Sequence, residues 1–319
     1  METAALILNP VAGPRRGRLA PAAAAALLRA AGVEPEILVT AAAHEATALA
    51  ARAAQRHPWI AVAGGDGTVS EVVRGLAGTP AVLVVLPTGS GNDFAHGLGI
   101  ADAAAGAGAI RDGRTAEVDV AQFAGRVFVN SCGLLLDGEV ALAAAAVDRR
   151  WGRLRYPLAT VGPLGRCRPV HGRWDLSGGD GATTLEGGWM LAEIGNGPRC
   201  GGGFLLTPRA DPCDGLLDLC LAPAMPRRDL VRLLPRGLRG THAADPRIVM
   251  RRVAAAGIGF DEPVAAHWDG EAGRVPAGPH ALRLLPRGGP RPPRRTGPVG
   301  TGRRGAMRPG RTPRSWPSR

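Results

Sequence analysis

The sequence predicts an N-terminal parallel α/β domain followed by a C-terminal antiparallel, β-rich domain. Up to residue 116, short and almost entirely apolar segments alternate with Ala-rich helical segments, as strands and crossover helices do in a parallel sheet. Beyond it, short strand-like segments have few helices between them, which is typical of antiparallel structure. The length of 319 residues suits two domains. We expect domains at 1–116 and 117–286, and a tail at 287–319.

The first domain shows a regular order of strands and helices. An apolar run at 4–8 stops at Asn9-Pro10, which indicates a buried strand followed by a loop. An Ala-rich segment at 19–31 has high helix propensity and stops at Gly32. The same reasoning predicts strands at 4–8, 36–39, 59–63 and 81–86, and helices at 19–31, 42–56 and 70–76.

Paired short segments characterise the second domain. Segments 117–123 and 126–131 alternate in polarity around a turn at Ala124-Gly125, and 174–185 has the pattern of a hairpin with a loose loop. Further strands are expected at 189–194 and 216–221, and helices at 138–149 and 227–237.

Every one of the 39 basic residues is Arg, because the sequence contains no Lys. This excludes a Lys-containing P-loop, a protein kinase and a cofactor Schiff base. The tail at 287–319 carries 10 Arg and no acidic residue, whereas 1–286 carries 29 Arg and all 27 acidic residues. The tail has too few apolar side chains to fold, so we expect it to be disordered. It either binds RNA or an anionic membrane, or has no function.

Cysteine content and hydropathy predict a cytoplasmic protein. The five Cys residues include no C-x-x-C pair, which favours reduced thiols over zinc or disulfides. The N-terminus, with Glu2 and Pro10, has no signal-peptide pattern. No apolar run approaches the roughly 18 residues of a membrane span.

The most informative motif follows the third predicted strand. There the chain reads Gly64-Gly65-Asp66-Gly67-Thr68, with Glu71 three residues further on. Glycines allow a backbone to approach a ligand closely, and the N-terminus of the following helix attracts anions. Because Asp66 would repel a bare phosphate, we expect Mg²⁺ to bridge its carboxylate and phosphate oxygens. The alternative is that Asp66 only caps the helix.

Two further loops follow apolar strands at the same edge of the sheet. One is Pro87-Thr88-Gly89-Ser90-Gly91-Asn92-Asp93, and the other is Asn9-Pro10-Val11-Ala12-Gly13. In an open parallel sheet, ligands bind beyond the carboxyl ends of the strands. Three such loops therefore predict a phosphate-binding site, although Asn92 and Asp93 alone would also suit a helix cap.

These motifs resemble those of the diacylglycerol kinase catalytic-domain family. The order is Asn-Pro-x-x-Gly at 9–13, Gly-Gly-Asp-Gly-Thr-x-x-Glu at 64–71 and Pro-x-Gly-[ST]-x-Asn-Asp-Phe-Ala at 87–95. Gly-Gly-Asp-Gly alone also occurs in NAD kinases and 6-phosphofructokinases. Gly-Gly-Gly at 201–203, Asp-Gly-x-Leu-Asp at 214–218 and Asp-Gly-Glu at 269–271 resemble the bacterial lipid kinases more specifically. The resemblance covers residues 4–286.

The resemblance implies a set of site residues. Asp66 and Asp93 would organise the catalytic Mg²⁺ and the phosphates. A structural Mg²⁺ would bind the Asp214 carboxylate and the carbonyls of Asp211 and Leu216, which are hard oxygen ligands. The ATP site would be lined by Asn9, Pro10, Val11, Ala12, Gly13, Thr40, Gly64, Gly65, Asp66, Gly67, Thr68, Glu71, Gly89, Ser90, Asn92 and Asp93.

The Asp269-Gly270-Glu271 segment contains the carboxylates that phosphoryl transfer needs. Transfer to an alcohol requires in-line positioning, neutralised phosphate charge and a carboxylate that accepts the hydroxyl proton. In an extended segment Asp269 and Glu271 would share one face, so that one is the base while the other orients metal or substrate. The resemblance favours Glu271 as the base, with Asp269 second. The alternative is an exposed Asp-Gly turn.

The loop after the first strand departs from the family pattern. Bacterial relatives commonly carry a Lys just after the first Gly of this loop, whereas Gly13 is followed by Pro14, Arg15 and Arg16. We expect one of the two arginines to supply the cation, since a guanidinium pairs well with phosphate.

The sequence thus predicts a kinase that uses ATP and Mg²⁺ to phosphorylate diacylglycerol or a related lipid, such as a sphingoid base. A lipid substrate implies peripheral contact with the inner face of the membrane; no specific nucleic acid is expected, and a homodimer is left open. One alternative is a soluble kinase of the NAD kinase type, which would not need Asp214 or the Asp269-Gly270-Glu271 segment. The other is a non-enzymatic nucleotide- or RNA-binding regulator that uses its Arg-rich tail.

Overall fold

The protein is described by a computed structural model that covers residues 2–10, 19–147 and 155–285, with side chains of the last segment from residue 158 onward. Its first sheet has four parallel strands in the order β2-β1-β3-β4. They are β1 (Glu2–Leu8), β2 (Val33–Val39), β3 (Trp59–Gly64) and β4 (Val82–Pro87). This sheet confirms the parallel α/β class predicted for the N-terminal half.

Helices cover both faces of the first sheet. Alternate residues of β1 therefore pack on opposite sides: Leu6 belongs to the core cluster that includes α1 and α5, and Ile7 to the one that includes α2 and α3. A short helix, α4, follows β4 at the edge of the sheet. The helices are α1 (Pro21–Ala30), α2 (Glu45–Ala53), α3 (Asp66–Leu76), α4 (Asp93–Gly97) and α5 (Ala103–Arg111).

The second sheet is antiparallel, as predicted, and contains eleven strands of the described chain. Its main path runs β14-β13-β7-β9-β8-β12-β15-β5-β6, and β10 pairs with β9 and β11. Trp174 packs edge-to-face against Trp189 and Phe260 in its core. The strands are β5 (Ala121–Phe123), β6 (Arg126–Phe128), β7 (Ser131–Leu135), β8 (Val170–Ser177), β9 (Thr183–Gly195), β10 (Leu217–Pro223), β11 (Val249–Val253), β12 (Ala255–Phe260), β13 (Val264–Trp268), β14 (Glu271–Val275) and β15 (Gly278–Leu284).

Three helices accompany the second sheet: α6 (Leu136–Ala146), α7 (Arg155–Arg166) and α8 (Arg227–Gly237). None of the helices described in the chain is long and apolar enough to cross a membrane. All five cysteines are free thiols, as predicted. The predicted disordered tail at 287–319 lies outside the described residues.

Several predicted boundaries differ from the structure. Helix α3 begins at Asp66, four residues before the expected start, so that Gly67 lies in its first turn. The strand expected at 189–194 is the second half of β9, which pairs first with β8 and then with β7 and β10. Residues 117–120 precede β5 rather than belonging to it, and the helix expected at 138–149 is α6.

Candidate active site

Two Gly-rich loops touch at the carboxyl edge of the first sheet. They contact through Gly65, before α3, and Gly89, before α4: a Cβ atom on Gly89 would lie 2.5 Å from Gly65 Cα. Gly67, in the first turn of α3, is exposed, and a Cβ there would meet nothing within 4 Å. The N-terminus of α3 is therefore open to a ligand, and its unpaired backbone N–H groups favour an anion.

The loop after β1 is tied to the same helix. Asn9 Nδ2 donates a hydrogen bond to Thr68 Oγ1 at 3.0 Å. Beside it, Thr40 N donates to Leu8 O at 2.9 Å, which places Thr40 at the same edge. Pro10 is exposed there. Other predicted residues of this loop lie outside the described residues: Val11, Ala12, Gly13, Arg15 and Arg16.

Asn92 closes the loop after β4 on itself. Its Oδ1 accepts a hydrogen bond from Gly89 N at 2.8 Å, and its Nδ2 donates to Gly89 O at 3.0 Å. Its backbone is left-handed, with φ of 56°, a region that Asn tolerates well. Asn92 precedes α4, but its side chain makes no capping hydrogen bond to that helix, so the cap expected as an alternative is wrong for this residue.

Asp66 interacts with the neighbouring helix instead of capping its own. Gly65 occupies the N-cap position of α3, and Asp66 Oδ1 accepts a hydrogen bond from Phe94 N, in α4, at 3.1 Å. On the other side, Asp93 Oδ2 accepts from Gly202 N at 2.8 Å, which brings a loop of the second sheet over the site. The structure thus brings the two predicted metal-organising carboxylates together.

The charges of this pair suit a divalent cation. Burial and the neighbouring carboxylate of Asp93 raise the pKa of Asp66 to about 6. A Cβ on Gly91 would lie 2.9 Å from Asp66 Oδ2 and 3.7 Å from Asp93 Oδ2, so both oxygens border the same space. A hard cation would relieve the repulsion between the carboxylates and stabilise their ionised forms. These residues therefore fit a Mg²⁺ ion.

The Asp-Gly-Glu segment is a hairpin turn, not the extended segment that was predicted. Trp268 pairs with Glu271 across β13 and β14, and Asp269 and Gly270 have φ of 51° and 82°. Two positive φ angles are those of the tight turn that Asp-Gly favours. The sharp reversal points the carboxylates of Asp269 and Glu271 to different partners.

The carboxylate of Asp269 joins the two sheets. Its Oδ2 accepts hydrogen bonds from Ser70 Oγ, in α3, at 2.6 Å and from Val129 N at 2.9 Å. Its Oδ1 accepts from Asn130 N at 2.8 Å and Ser131 N at 3.0 Å. Four donors on one carboxylate make this a positioning group, not the solvated turn considered as the alternative.

Glu271 lies among three cationic or titratable side chains. Arg74, in α3, binds it through both terminal nitrogens, and Arg126 Nη2 donates to Oε2 at 2.9 Å. His44 Nδ1 lies 3.8 Å from Oε1. Burial opposes ionisation of Glu271, but hydrogen bonding and charge from Arg74, with Arg126, lower its pKa below the usual range. Glu271 is therefore a carboxylate at neutral pH.

One face of α3 carries the residues that meet the hairpin. Asp66, Ser70 and Arg74 are spaced four residues apart, so they lie along one side of the helix. Ser70 and Arg74 contact Asp269 and Glu271, respectively. Sequence reasoning missed Ser70 and Arg74, although the spacing of four from Asp66 was visible.

Glu71 and Ser90 lie at the edge of the predicted nucleotide site. Glu71 Oε2 accepts a hydrogen bond from Ala46 N at 3.2 Å, and its carbonyl accepts from Thr47 Oγ1 at 2.9 Å. Both bonds hold the first turn of α2 against α3, and Glu71 Oε1 also lies 3.8 Å from Nδ1 of His44, the histidine beside Glu271. Ser90 is exposed at the tip of its loop.

The predicted structural metal site has a different arrangement. Asp214 Oδ1 accepts a hydrogen bond from Leu216 N at 3.0 Å, and Oδ2 pairs with the guanidinium of Arg252. Asp211 Oδ1 accepts from Cys213 N at 3.0 Å. Because a cationic side chain already occupies the Asp214 carboxylate, these residues do not fit a Mg²⁺ ion in the way that the resemblance implies.

A largely buried ion pair, between His267 and Asp137, lies behind the hairpin, and no sequence spacing indicated it. His267 Nε2 is 2.6 Å from Asp137 Oδ2. Burial lowers the pKa of His267, but the charge and hydrogen bond of Asp137 outweigh it and raise the pKa to about 9. Glu193 beside them is fully buried, and burial raises its pKa well above the usual range.

A parallel α/β sheet followed by an antiparallel β-rich sheet, with a Gly-Gly-Asp-Gly loop between β3 and α3, is the arrangement to compare with known kinases. The family model described as "Diacylglycerol kinase catalytic domain" matches residues 3–123, and the one described as "YegS C-terminal NAD kinase beta sandwich-like domain" matches residues 130–287. The chain belongs to the diacylglycerol kinase catalytic-domain family and is a kinase, which disfavours a non-enzymatic regulator. ATP is the phosphate donor that this family implies.

Several relatives match most of the chain. A diacylglycerol kinase of Mycobacterium tuberculosis (strain ATCC 25618 / H37Rv) is 34% identical over 296 residues, which is 87% of this chain and 94% of the relative. A diacylglycerol kinase of Bacillus subtilis (strain 168) is 30% identical over 279 residues, covering 86% and 91%. The crystal structure of a putative diacylglycerol kinase from Bacillus anthracis str. Sterne has a TM-score of 0.72 at 27% identity, covering 89% and 94%.

Proposed function

We propose that this protein transfers the γ-phosphate of ATP, with Mg²⁺, to the hydroxyl group of diacylglycerol or a related lipid such as a sphingoid base. The observation that carries the proposal is the docking of the Asp269–Glu271 hairpin on α3. Ser70 and Arg74 hold the hairpin on the helix whose first residue is Asp66. The Glu271 carboxylate, which would accept the hydroxyl proton, and the loop that would bind the phosphates are thereby both fixed to α3.

In this proposal, the loops around Gly65 and Gly89 bind the phosphates through backbone N–H groups at the N-terminus of α3. Asp66 and Asp93 would hold the Mg²⁺ ion, which supplies neutralisation of the phosphate charge. We assign Asp269 to positioning the hairpin, because three backbone N–H groups and the Ser70 hydroxyl fix its carboxylate between the two sheets.

Glu271 is the proposed general base. Arg74 and Arg126 keep it ionised, so it can receive the hydroxyl proton as the oxygen–phosphorus bond forms. A low pKa makes it a weak base, but a loose transition state places little demand on proton transfer before bond formation. His44, which is largely exposed beside Glu271, leaves an open approach for the acceptor.

The reaction is tested by supplying purified protein with γ-labelled ATP, Mg²⁺ and either a membrane lipid extract or NAD. A labelled lipid that depends on Mg²⁺ supports the proposal, and its chromatographic mobility identifies the lipid class. Labelled NADP with no labelled lipid would support the NAD kinase alternative. Relatives named diacylglycerol kinase favour the first outcome.

Peripheral contact with the inner face of the membrane is part of the proposal. Arg228 and Arg232 are exposed on α8, and Asp229 between them is paired with Arg232 and Arg247. An apolar face with exposed arginines beside it suits an anionic bilayer. Of the six large apolar side chains exposed in the described residues, four lie on α7 or at α8: Leu158, Val161, Val231 and Leu238.

Vesicle sedimentation tests this contact. Leu158→Glu combined with Val231→Glu should abolish binding to anionic vesicles, while Ile37→Glu, on the far edge of the first sheet, should not. Deleting 287–319 tests the basic tail separately. Each Arg held near an anionic surface would contribute about 1 kcal/mol to the free energy of binding. Unchanged binding after that deletion removes the tail from the proposal.

A further inference from the structure

An acidic loop in the second domain converges on one arginine. Arg252 lies on β11 directly opposite Asp218 on β10, and its Nε is 3.6 Å from Asp218 Oδ2. Its terminal nitrogen pairs with Asp214 Oδ2. Its backbone N–H donates to Asp180 Oδ2 at 2.9 Å, and Asp180 N donates back to Arg252 O at 3.0 Å. One residue therefore joins the loop at Asp180 to the segment that carries Asp214 and Asp218.

Asp218 is a buried carboxylate beside Asp214, so the loop needs a positive charge to offset the two negative ones. Only 3% of this residue is exposed, and Arg252 Nε lies 3.6 Å from its Oδ2 while the same guanidinium pairs with Asp214. Without a positive charge, two neighbouring carboxylates would repel each other in a partly desolvated loop. Some cation has to hold this loop together.

A divalent ion would have to share the loop with the guanidinium. Mg²⁺ requires near-octahedral oxygen ligands at about 2.0–2.1 Å. Asp214 Oδ1 is already bonded to Leu216 N, Oδ2 to Arg252, and Asp211 Oδ1 to Cys213 N. A second cation on Asp214 would also be repelled by the guanidinium.

We propose that Arg252 replaces the divalent cation at this loop, so that the second domain is stable without a bound metal. A guanidinium is suited to this role because it is always charged and its planar fork reaches several carboxylates. The inference goes beyond the proposed reaction and does not depend on which acceptor is phosphorylated. It confines the Mg²⁺ requirement of the chain to the nucleotide site.

The test is thermal unfolding of the nucleotide-free protein in EDTA and in excess Mg²⁺. Every variant is also made with Asp66→Asn, which removes the metal response of the nucleotide site. The protein that carries Asp66→Asn but keeps Arg252 is the parent, and it should have the same Tm in both buffers. Arg252→Gln should lower the Tm in EDTA by about 5 °C or more, and Mg²⁺ should restore part of the loss, because the emptied loop then offers free carboxylate oxygens.

Two controls make the result specific. Arg173→Gln removes another arginine of the same sheet that pairs with Asp175 and Glu186, and it should create no Mg²⁺ response. Arg252→Lys keeps the charge and should stay insensitive to Mg²⁺. If the parent loses Tm in EDTA, or if Arg252→Gln has the parental Tm there, the proposal is overturned. The parent result decides the matter even if Arg252→Gln does not fold.

Discussion

Asp269→Asn should strongly destabilise the protein without introducing a steric change. The amide keeps one acceptor oxygen, which can serve Asn130 N and Ser131 N, and turns an NH₂ group towards Ser70 Oγ and Val129 N. The Ser70 hydroxyl can rotate so that its oxygen accepts a hydrogen bond from the new NH₂ group. The buried Val129 N–H cannot adapt in this way, because it is a donor that then faces another donor. Asn also tolerates the positive φ at this position, so the backbone is not strained.

The size of the effect follows from these four bonds. Leaving one buried N–H unsatisfied costs about 1–3 kcal/mol, and converting the two remaining charged hydrogen bonds to neutral ones costs about 1 kcal/mol each. The free energy of unfolding should therefore fall by about 3–5 kcal/mol, which lowers Tm by about 10 °C. Urea unfolding monitored by tryptophan fluorescence measures the change.

A double-mutant cycle locates the effect in the contact between the hairpin and α3. Ser70→Ala alone should cost about 1.5 kcal/mol, and its effect should shrink when Asp269 is already Asn. Asp261→Asn, an exposed aspartate at the other end of β13, should change stability by less than about 0.5 kcal/mol. A loss below about 1 kcal/mol for Asp269→Asn would refute the reasoning.

Three further predictions concern the loops and the buried ion pair. Because the pKa of Asp66 is raised to about 6, ionisation of Asp66 lowers the stability of the metal-free protein as pH rises from about 4 to 6. Binding of Mg²⁺ needs the ionised form, so kcat/KM should fall as pH drops through about 6. A flat pH profile of kcat/KM would count against this. Gly89→Ala should lower kcat/KM for ATP by about 10–100-fold, because the added Cβ separates the two loops, and an unchanged value would contradict the close contact. His267, with its pKa raised from 6.5 to about 9, stabilises the fold fully below pH 6.5 and loses that contribution as pH rises to about 9; Asp137→Asn should remove this part of the pH dependence of Tm.

The first sheet was predictable because its central strands, β1 and β3, are buried on both faces. Uninterrupted apolar runs such as 59–63 mark such strands, and the loops that follow them carry the phosphate-binding residues. The start of α3 was missed because Gly67 has low helix propensity, yet the first turn of this helix tolerates it where the ligand needs space.

The second sheet was less predictable. Strands β11, β12 and β15 were not anticipated, and β13 and β14 were expected as a single strand carrying Asp269 and Glu271. Strand β12 contains Gly257 and Gly259 in its interior and lacks a clear alternation of polarity. The turn at Asp269-Gly270 had a strong local signal, Asp-Gly, but it was considered only as the alternative to an extended segment. The partners of Glu271 could not be predicted, because Arg74 and Arg126 are 197 and 145 residues away in the sequence.

The central claim is that the Asp269–Glu271 hairpin, docked on α3, serves phosphoryl transfer to a lipid hydroxyl. The most direct measurement is transfer of labelled γ-phosphate from ATP to diacylglycerol in mixed micelles, comparing wild type, Glu271→Gln and Glu34→Gln. Glu34 also pairs with an arginine, Arg29, but lies exposed in β2. We predict that Glu271→Gln lowers kcat by about 100-fold or more while Glu34→Gln matches wild type. Equal rates for Glu271→Gln and wild type would contradict the account.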